Sequence, residues 1–475
     1  MDHVCTVIEI ILSHTIFFYN NRHTLLFLNH VPKREESTLG NNAVLVVGGG
    51  IAGMQAALDL ADRGLTVHLV EKSPSIGGRM AQLDKTFPTM DCSICILAPK
   101  MIECLRHVNI KLLTCSEVKE VAGSAGNFKV KVLKHPRFVN ADKCTGCGSC
   151  TEKCPVKVPS EFDMGMGTRK AIYMPFPQAV PRITMIDKDH CLYFQKGVCR
   201  VCEKFCPADA INFDQKTEEV TLDVSSVILA TGLELYDPAS ISEYGYKRYK
   251  NVLLSLEFER LINASGPTRG ELLRPSDNRH PRRIVFIQCV GSRTSQKGFP
   301  YCSSVCCMYA TKEAILIREH EPECEVYILY LDLRVFGKRF QEFVSRAKDE
   351  WGVKYVNGRV STVIENPVTR NLWVRYENIM EGKIEELHTD LVVLCPALIP
   401  REDNKLLARI FGLELDEYGF LKTRDPLLMS VETNMEGIFV CGYCQAPKDI
   451  SESVTQASAA AARAAEETTS AIVRR

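Results

Sequence analysis

The chain has 475 residues, with 58 basic and 58 acidic side chains, so its formal net charge is zero. This balance excludes a broadly basic surface for nucleic acid or anionic lipid. The length suggests about three domains, and many of the 21 cysteines stand at metal-ligand spacings. Thiols kept reduced for metal binding predict a cytoplasmic location.

Residues 1–42 differ from everything downstream. Their apolar stretches are interrupted by polar residues and never reach the ~20 apolar residues that a membrane span needs. The segment also lacks the basic start and small-residue end of a secretory signal. We therefore expect a poorly ordered leader, no membrane span and no signal peptide.

A dinucleotide-binding fingerprint follows the leader. Apolar residues 43–47 predict a buried parallel strand, after which come Gly48-x-Gly50-x-x-Gly53 and a helix. The glycines allow a tight turn and close approach of a pyrophosphate to the helix N-terminus, and Glu71 can hold a ribose hydroxyl. A glycine pattern alone is weak, but the flanking strands and the acid make this one strong.

Later segments indicate which dinucleotide binds. Gly77-Gly78-Arg79 follows the acid, and residues 227–232 and 437–442 each read as a strand ending in a tight turn. This combination resembles the FAD domain of thioredoxin-reductase-like and glutathione-reductase-like flavoproteins, and it implies FAD. That family usually has Gly-Asp at the last turn, where this chain has Gly442-Tyr443.

The resemblance implies a set of FAD-binding residues. They are Gly48, Gly50, Ile51, Ala52, Gly53, Glu71, Lys72, Gly78, Arg79, Met80, Ala230, Thr231, Gly232, Gly442 and Gln445. Arg79 and Lys448 are candidate cations for tuning the flavin, with ordinary surface solvation as the alternative. A helix predicted to open near Ser451, with Ser451 as its N-cap, would direct its N-terminus at the flavin.

Two cysteine runs lie between residues 144 and 206. They are Cys144-x2-Cys147-x2-Cys150-x3-Cys154-Pro155 and Cys191-x7-Cys199-x2-Cys202-x3-Cys206-Pro207. In two-cluster ferredoxins the fourth cysteine of each run binds the other cluster. This crossing predicts one [4Fe-4S] cluster on Cys144, Cys147, Cys150 and Cys206, and a second on Cys191, Cys199, Cys202 and Cys154. Structural zinc is the alternative, and the x7 spacing departs from the usual x2.

A second nucleotide-binding domain is predicted from residue 283. The strand 283–288 is followed by Cys289-Val-Gly291-Ser-Arg293, where only one glycine remains of a phosphate-binding turn. We therefore expect no productive NADH or NADPH site. Cys302 and Cys306 lie one helical turn apart, and a coil could bring Cys289 beside them. From spacing alone, a third cluster and buried inert thiols are equally good interpretations.

Several motifs together resemble the A-type subunit of heterodisulfide reductase, its FAD and iron-sulfur subunit, from about residue 43 to 472. The motifs are Gly77-Gly78-Arg79-Met80, Asp91-Cys92-Ser93-Ile94-Cys95, Phe176-Pro177-Gln178-Ala179-Val180-Pro181, Gln288-Cys289-Val290-Gly291-Ser292-Arg293, Tyr301-Cys302, Cys306-Cys307-Met308 and Gln445-Ala446-Pro447-Lys448-Asp449-Ile450. The resemblance implies an FAD-bearing, multi-cluster oxidoreductase subunit that takes part in flavin-based electron bifurcation. It also implies that Cys289, Cys302, Cys306 and Cys307 hold a third [4Fe-4S] cluster.

The resemblance further implies partners. These are the B-type and C-type subunits of heterodisulfide reductase, with the disulfide chemistry on a partner subunit, and an electron-donating hydrogenase or formate dehydrogenase. Ferredoxin is a further expected partner, and the chain is expected to be a homodimer within a larger complex. Family members commonly carry an additional N-terminal cysteine-containing domain, and some carry a C-terminal ferredoxin domain; we read neither in this sequence.

Other cysteines allow several interpretations. Cys92-x2-Cys95 can be a flavin-coupled dithiol, two ligands completed by another domain, or buried structural cysteines. Cys441-x2-Cys444 is interpreted as packing. The isolated cysteines are expected to behave as small hydrophobic residues; they are Cys5, Cys104, Cys115, Cys324 and Cys395.

The predicted fold class is α/β, a two-dinucleotide-binding-domain flavoprotein with an inserted α+β two-cluster ferredoxin module. The predicted segments are FAD-binding residues 43–138, the module 139–215, FAD-binding residues 216–262, a linker 263–282, the second domain 283–398 and the closing FAD-binding part 399–475. Alternative functions are an NAD(P)H-linked, ferredoxin-fused reductase similar to the glutamate synthase small subunit, a self-contained disulfide reductase using Cys92 and Cys95, and a flavin-free electronic scaffold.

Overall fold

A computed structural model describes residues 42–473 of the chain. The predicted leader, apart from its last residue, lies outside the described residues, as does Cys5. Within the described range, no helix is both long and apolar enough to cross a bilayer.

The strands are β1 (Ala43–Val47), β2 (Thr66–Glu71), β3 (Ile110–Thr114), β4 (Ser116–Ser124), β5 (Asn127–Lys134), β6 (Lys157–Pro159), β7 (Thr168–Lys170), β8 (Ile172–Tyr173), β9 (Met185–Ile186), β10 (Glu218–Val224), β11 (Ser226–Leu229), β12 (Leu233–Leu235), β13 (Val252–Leu254), β14 (Arg283–Val290), β15 (Glu325–Tyr330), β16 (Lys354–Glu365), β17 (Leu372–Asn378), β18 (Lys383–Thr389), β19 (Leu391–Pro396), β20 (Leu398–Pro400) and β21 (Ile438–Val440). The helices are α1 (Ile51–Asp62), α2 (Ser93–Arg106), α3 (Ser149–Lys153), α4 (Leu192–Lys196), α5 (Val201–Lys204), α6 (Ser255–Ile262), α7 (Cys306–His320), α8 (Phe340–Asp349), α9 (Asn404–Phe411) and α10 (Ile450–Val473).

The first sheet collects strands from three separate parts of the chain. Its order is β21-β11-β1-β2-β3, and its strand pairs are all parallel. Helices α1 and α10 pack together against it. The alanines of α10 make this close packing possible, because Ala457, Ala460, Ala461 and Ala464 are fully buried. The N-terminal, middle and C-terminal segments therefore close one dinucleotide-binding fold, as the sequence predicts.

The second sheet has the order β13-β19-β14-β15-β16-β17-β18. It is parallel from β13 to β16 and antiparallel from there to β18. Strand β13 pairs with β19 in this sheet. The expectation that residues 216–262 belong wholly to the FAD-binding part is therefore wrong for residues 252–254. These residues precede the predicted linker in sequence, but they form a strand of the second domain's sheet.

The cysteine runs lie in an insertion between the strand pairs of the FAD-binding part. Strands β4, β5 and β10 form a separate antiparallel sheet, and residues 139–215 leave it after β5 and return at β10. The insertion contains short helices, the hairpin β6–β7 and the pair β8–β9. Its ends are joined by a bridge between Val139 and Ile211, so the module interrupts the host fold at one place.

Candidate cofactor cleft and metal centres

A cleft of about 940 Å³ opens at the carboxyl ends of the parallel strands β1, β2, β11 and β21. This is where open α/β sheets bind nucleotide cofactors. Its lining includes most of the predicted FAD-binding residues: Gly48, Gly50, Ile51, Ala52, Glu71, Gly78, Arg79, Met80, Ala230, Thr231, Gly232 and Gly442. The volume lies within the usual range for ligand sites, roughly 300–1,000 Å³.

The glycine loop is held by close backbone contacts. A Cβ at Gly48, where φ is +109°, would lie 2.3 Å from the Ala230 carbonyl oxygen. A Cβ at Gly53 would lie 1.8 Å from the Gly48 carbonyl oxygen. The Glu71 carboxylate accepts hydrogen bonds from the Gly49 N–H (2.6 Å) and the Ser73 N–H (2.8 Å). Glu71 therefore fixes the loop in addition to facing the cleft.

Three predicted FAD-binding residues lie away from the cleft lining. Gly53 is buried beneath the loop, where it sets the packing of α1. Lys72 is exposed, and its Nζ lies 3.7 Å from carboxylate oxygens of both Glu117 and Asp403. Gln445 accepts a hydrogen bond from Lys448 at 3.0 Å. These three residues support the shape of the cleft but do not form its inner surface.

Arg79 and Lys448 both line the cleft and are half-buried. Burial lowers the pKa of each, with Arg401 also lowering that of Arg79. Arg79 donates to Gln82 Oε1 at 2.9 Å, and Lys448 donates to the Gly442 and Ala446 carbonyl oxygens at 3.0 and 2.9 Å. Two cations are thus held in fixed positions at the cleft wall.

Helix α10 directs its N-terminus at the cleft, since Asp449, Ile450, Ser451 and Ser453 line it. The predicted N-cap is wrong. Asp449 caps the helix instead, because its carboxylate accepts from the Glu452 N–H (2.7 Å) while Glu452 accepts from the Asp449 N–H (2.8 Å). This reciprocal pair is a capping box, which the Asp-x-x-Glu spacing could have revealed.

The far wall of the cleft carries charged residues that sequence reasoning missed. Helices α6 and α7 contribute Glu259, Lys312 and Glu313, of which Lys312 and Glu259 form a buried ion pair. Burial lowers the pKa of Lys312 and raises that of Glu313. The available signal was the adjacent Lys312 and Glu313 within the mostly apolar stretch 306–317 of α7, since buried charges are rare unless they are paired.

The eight cysteines of the two runs separate into two cavities. The first cysteine cavity is lined by Cys144, Cys147, Cys150 and Cys206, and the second by Cys154, Cys191, Cys199 and Cys202. Each cavity takes three cysteines from one run and one from the other, the arrangement of two-cluster ferredoxins. Within residues 42–473, no group of three or more His, Cys, Asp or Glu side chains is placed to hold a single metal ion.

The third cysteine set lies where β14 ends and α7 begins. Cys289 has a left-handed backbone (φ +59°), and Cys306 and Cys307 are the first residues of α7. Burial raises the pKa of Cys307 to about 11, with further contributions from Cys289 and Cys302. The Ser304 N–H donates to Cys302 Sγ and the Arg334 N–H to Cys307 Sγ, both at 3.4 Å. The structure thus brings the four thiols within electrostatic range of one another.

Cys92 and Cys95 form a disulfide at the start of α2. Cys92 is half-buried and Cys95 is exposed, so the interpretation of these residues as buried structural cysteines is wrong. Their neighbour Ile96 lines the cleft. By contrast Cys441 and Cys444 are fully buried, as the packing interpretation predicts, and the isolated Cys104, Cys115, Cys324 and Cys395 are buried too.

The residues present fit the implied cofactors. The cleft offers a glycine loop, a helix N-terminus and fixed cations, which suit a dinucleotide pyrophosphate and a flavin that gains negative charge. Each cysteine cavity offers four sulfur donors, the usual ligand set of a [4Fe-4S] cluster. FAD would supply two-electron chemistry in the cleft, and the clusters would supply one-electron transfer.

Family models match three parts of the chain. Residues 43–91 match FAD dependent oxidoreductase, residues 304–464 match pyridine nucleotide-disulphide oxidoreductase, and residues 137–160 match the 4Fe-4S binding domain. Thioredoxin reductases share the fold: that of T. acidophilum has a TM-score of 0.51 at 15% identity over 90% of this chain and 99% of its own. The Lactococcus lactis enzyme has a TM-score of 0.50 at 16% identity over 91% and 100%. The chain therefore has the fold of the two-dinucleotide-binding-domain flavoproteins, with a ferredoxin-type insertion.

Curated relatives specify the family. The A-type iron-sulfur subunit of CoB–CoM heterodisulfide reductase from Methanocaldococcus jannaschii is 53% identical over 89% of this chain and 63% of its own length. The A-type subunit of H2:CoB-CoM heterodisulfide,ferredoxin reductase from Methanothermobacter marburgensis is 52% identical over 90% and 64%. Over about nine tenths of its length the chain is therefore a homologue of these A-type heterodisulfide reductase subunits, and it spans slightly less than two thirds of them.

Proposed function

We propose that the chain is the flavin and iron–sulfur electron-transfer part of a heterodisulfide reductase-type enzyme. The observation that carries the proposal is the sorting of eight cysteines into two four-cysteine cavities in a module that borders the flavin cleft. Seven module residues line that cleft, among them Phe162, Arg169, Tyr173 and Phe176. FAD and two clusters would then lie within one folded unit, as conversion of two-electron into one-electron transfer requires.

Residues of this chain bind the dinucleotide, orient it and tune the redox properties of the flavin. The glycine loop and the N-terminus of α10 hold the dinucleotide, while Arg79 and Lys448 provide positive charge for a reduced, anionic flavin. The disulfide chemistry belongs to a partner subunit under this proposal. The third set, Cys289, Cys302, Cys306 and Cys307, is assigned a third [4Fe-4S] cluster.

The partners and reaction are proposed from the relatives. One of them, the A-type subunit from Methanococcus maripaludis, is 50% identical over 92% of this chain and 66% of its own length, and its enzyme is named H2/formate:CoB-CoM heterodisulfide,ferredoxin reductase. We accordingly assign B-type and C-type subunits, a hydrogenase or formate dehydrogenase, and ferredoxin as partners. We also assign flavin-based electron bifurcation, a homodimer within the complex, and a cytoplasmic location.

Iron per flavin on anaerobically purified protein tests this proposal. About twelve irons per FAD would indicate three four-iron clusters and support the Cys289 set as ligands. About eight would leave the ferredoxin pair alone and return the Cys289 set to packing. Protein with flavin but fewer than about eight irons would contradict the proposed electron path.

A nicotinamide-linked reductase is distinguished by a separate measurement. The only glycine left in the turn after β14 is Gly291, where a Cβ would lie 2.3 Å from the Tyr236 ring. The loop is thus filled by an aromatic side chain where a pyrophosphate would need space. We expect neither NADH nor NADPH to reduce the flavin at turnover-like rates under anaerobic conditions, and rapid reduction would sink this expectation.

A self-contained disulfide reductase is the second candidate. It is favoured by the partly exposed Cys92–Cys95 disulfide, one residue from the cleft-lining Ile96. This candidate predicts that Cys92→Ser abolishes disulfide turnover by the isolated chain. Under our proposal the isolated chain has no such turnover to lose, and Cys92→Ser leaves reduction of the flavin and clusters unchanged.

A further inference from the structure

The two cysteine cavities differ in what surrounds their sulfurs. In the first cavity the Thr184 hydroxyl oxygen lies 3.9 Å from Cys144 Sγ and 3.8 Å from Cys150 Sγ. Thr184 is 1% exposed, so water does not compete for this hydroxyl. Another wall residue, Ala210, donates its backbone N–H to Cys206 Sγ at 3.3 Å.

The second cavity has a different lining. Besides its cysteines, its wall consists of apolar side chains: Pro155, Val156, Ala171, Ile172, Ile186, Leu192 and Val201. In the part of the chain that the structure describes, no side-chain hydroxyl lies within hydrogen-bond range of these four sulfurs. Lys170 is near, but its ammonium donates to the Cys154 carbonyl oxygen at 2.5 Å.

A buried cation adds to the difference. Arg137 is 8% exposed and lies within electrostatic range of the Cys144 thiol. Its Nη2 donates to the Thr114 hydroxyl oxygen and to the Pro74 carbonyl oxygen (2.6 Å), and its Nη1 has no hydrogen-bond partner among the described residues. Pro74 lines the flavin cleft, so Arg137 contacts the cleft wall.

Iron binding fixes the direction of the threonine hydrogen bond. A free thiol and a hydroxyl can each donate, whereas a thiolate bound to iron has no proton and can only accept. With a cluster present, the Thr184 hydroxyl is therefore the donor. Hydrogen bonds to cluster sulfurs stabilise the reduced, more negative state and so raise the reduction potential.

We propose that the Thr184 hydroxyl makes the two clusters of the module unequal, holding the potential of the cluster in the first cavity above that of the cluster in the second. An electron shared within the module then resides on the Cys144 side, and the apolar second cavity holds the stronger reductant. This inference rests on the proposed function, because it requires both clusters.

Redox titration of the anaerobically purified full chain, followed by electron paramagnetic resonance, tests the inference. Thr184→Val removes the hydroxyl while keeping the shape. A hydrogen bond worth about 1 kcal/mol shifts the electron distribution between the clusters roughly fivefold, and a tenfold shift corresponds to 59 mV for a one-electron couple. We expect the reduction potential of one cluster couple to fall by an amount of this order, while the potentials of the other couples do not change.

Three variants separate hydrogen bonding from packing and from position. Thr184→Ser keeps the hydroxyl and should keep the parent potential, even if Thr184→Val fails to fold. Ile186→Thr adds a hydroxyl at the wall of the second cavity and should raise the reduction potential of a different cluster couple. In the parent protein, the potential of that couple should be lower than that of the couple affected by Thr184→Val. Ile186→Val is the matched control and should move neither.

The inference is overturned if Thr184→Val leaves all couples unchanged, or if Thr184→Ser shifts them equally. It is also overturned if the couple sensitive to residue 186 lies above the one sensitive to residue 184. An iron content below about eight in the parent protein would instead contradict the proposed function. The two failures are therefore distinguishable.

Discussion

Gly50 and Gly53 of the glycine fingerprint have different roles: Gly53 allows close packing of α1, and Gly50 allows the backbone to approach the pyrophosphate. A Cβ at Gly53 would lie 1.8 Å from the Gly48 carbonyl oxygen, whereas a Cβ at Gly50 meets nothing within 4 Å. Gly53→Ala must therefore displace α1 from β1, and we expect it to lower the free energy of unfolding by about 1–3 kcal/mol and to reduce bound flavin. Denaturant unfolding and flavin content measure both effects.

Gly50→Ala is the matched variant, because it adds the same methyl group one helical turn earlier. Its backbone has φ of −76°, which alanine adopts freely, so the protein without flavin should keep its stability. The backbone must still approach the pyrophosphate closely at the second glycine of the fingerprint. We expect weaker flavin binding by about tenfold, or ~1.4 kcal/mol. Equal unfolding midpoints for the two variants would contradict this division of roles.

Strand β2 contains a buried histidine that makes the stability of the first sheet depend on pH. His68 pairs with Leu45 of β1 and Lys111 of β3. Burial, and then Lys111, lower its pKa to about 4. As pH falls below about 6.5, the ordinary pKa of histidine, His68 binds a proton in the unfolded chain but stays neutral in the folded chain. The stabilisation is therefore complete above pH 6.5 and is lost as pH falls towards 4.

The expected loss is about 3 kcal/mol over the whole window and about 1.4 kcal/mol between pH 7.5 and 5.5. Urea unfolding at those two pH values measures it. His68→Phe should flatten this part of the pH dependence, while His388→Gln, at an exposed position of β18, should leave it unchanged. An unaltered slope in His68→Phe would show that other groups carry the effect.

At the scale of elements, the sequence predicts those features that depend on residues close together in the chain. The glycine fingerprint, the two cysteine runs and the strands around them are set by short spacings, so the first sheet, the inserted module and most of the cleft floor were predictable. The far wall of the cleft was not. Glu259 and Lys312 are 53 positions apart (312 − 259) and meet only through packing of α6 against α7. Thr184 was missed likewise, because an isolated threonine has no motif.

At the scale of the whole molecule, Arg260 joins three parts of the chain. It lies on α6 and is 1% exposed. Its Nε is 3.1 Å from Asp163 Oδ1 in the inserted module, its Nη1 donates to the Gln82 carbonyl oxygen (3.2 Å) in the FAD-binding part, and its guanidinium stacks on Phe162 at 4.8 Å. Phe162 and Gln82 both line the flavin cleft. Arg260 therefore helps to fix the module against the cleft, together with contacts such as the hydrogen bond from the Gln82 side-chain amide to the Phe162 carbonyl oxygen (2.8 Å).

Arg260→Met keeps much of the apolar stem but leaves Asp163 and the Gln82 carbonyl without their donor. Removing one partner of a buried ion pair costs about 3–5 kcal/mol, and the loss here falls on the contact between module and host. We expect flavin release to occur at lower denaturant than loss of cluster absorbance, whereas the two signals coincide in the parent. Arg260→Lys keeps the charge without the planar fork and should be intermediate. If Arg260→Met still released flavin and clusters together at the parent midpoint, the module would have to be held to the cleft by its other contacts, and transfer of electrons between them would not depend on this junction.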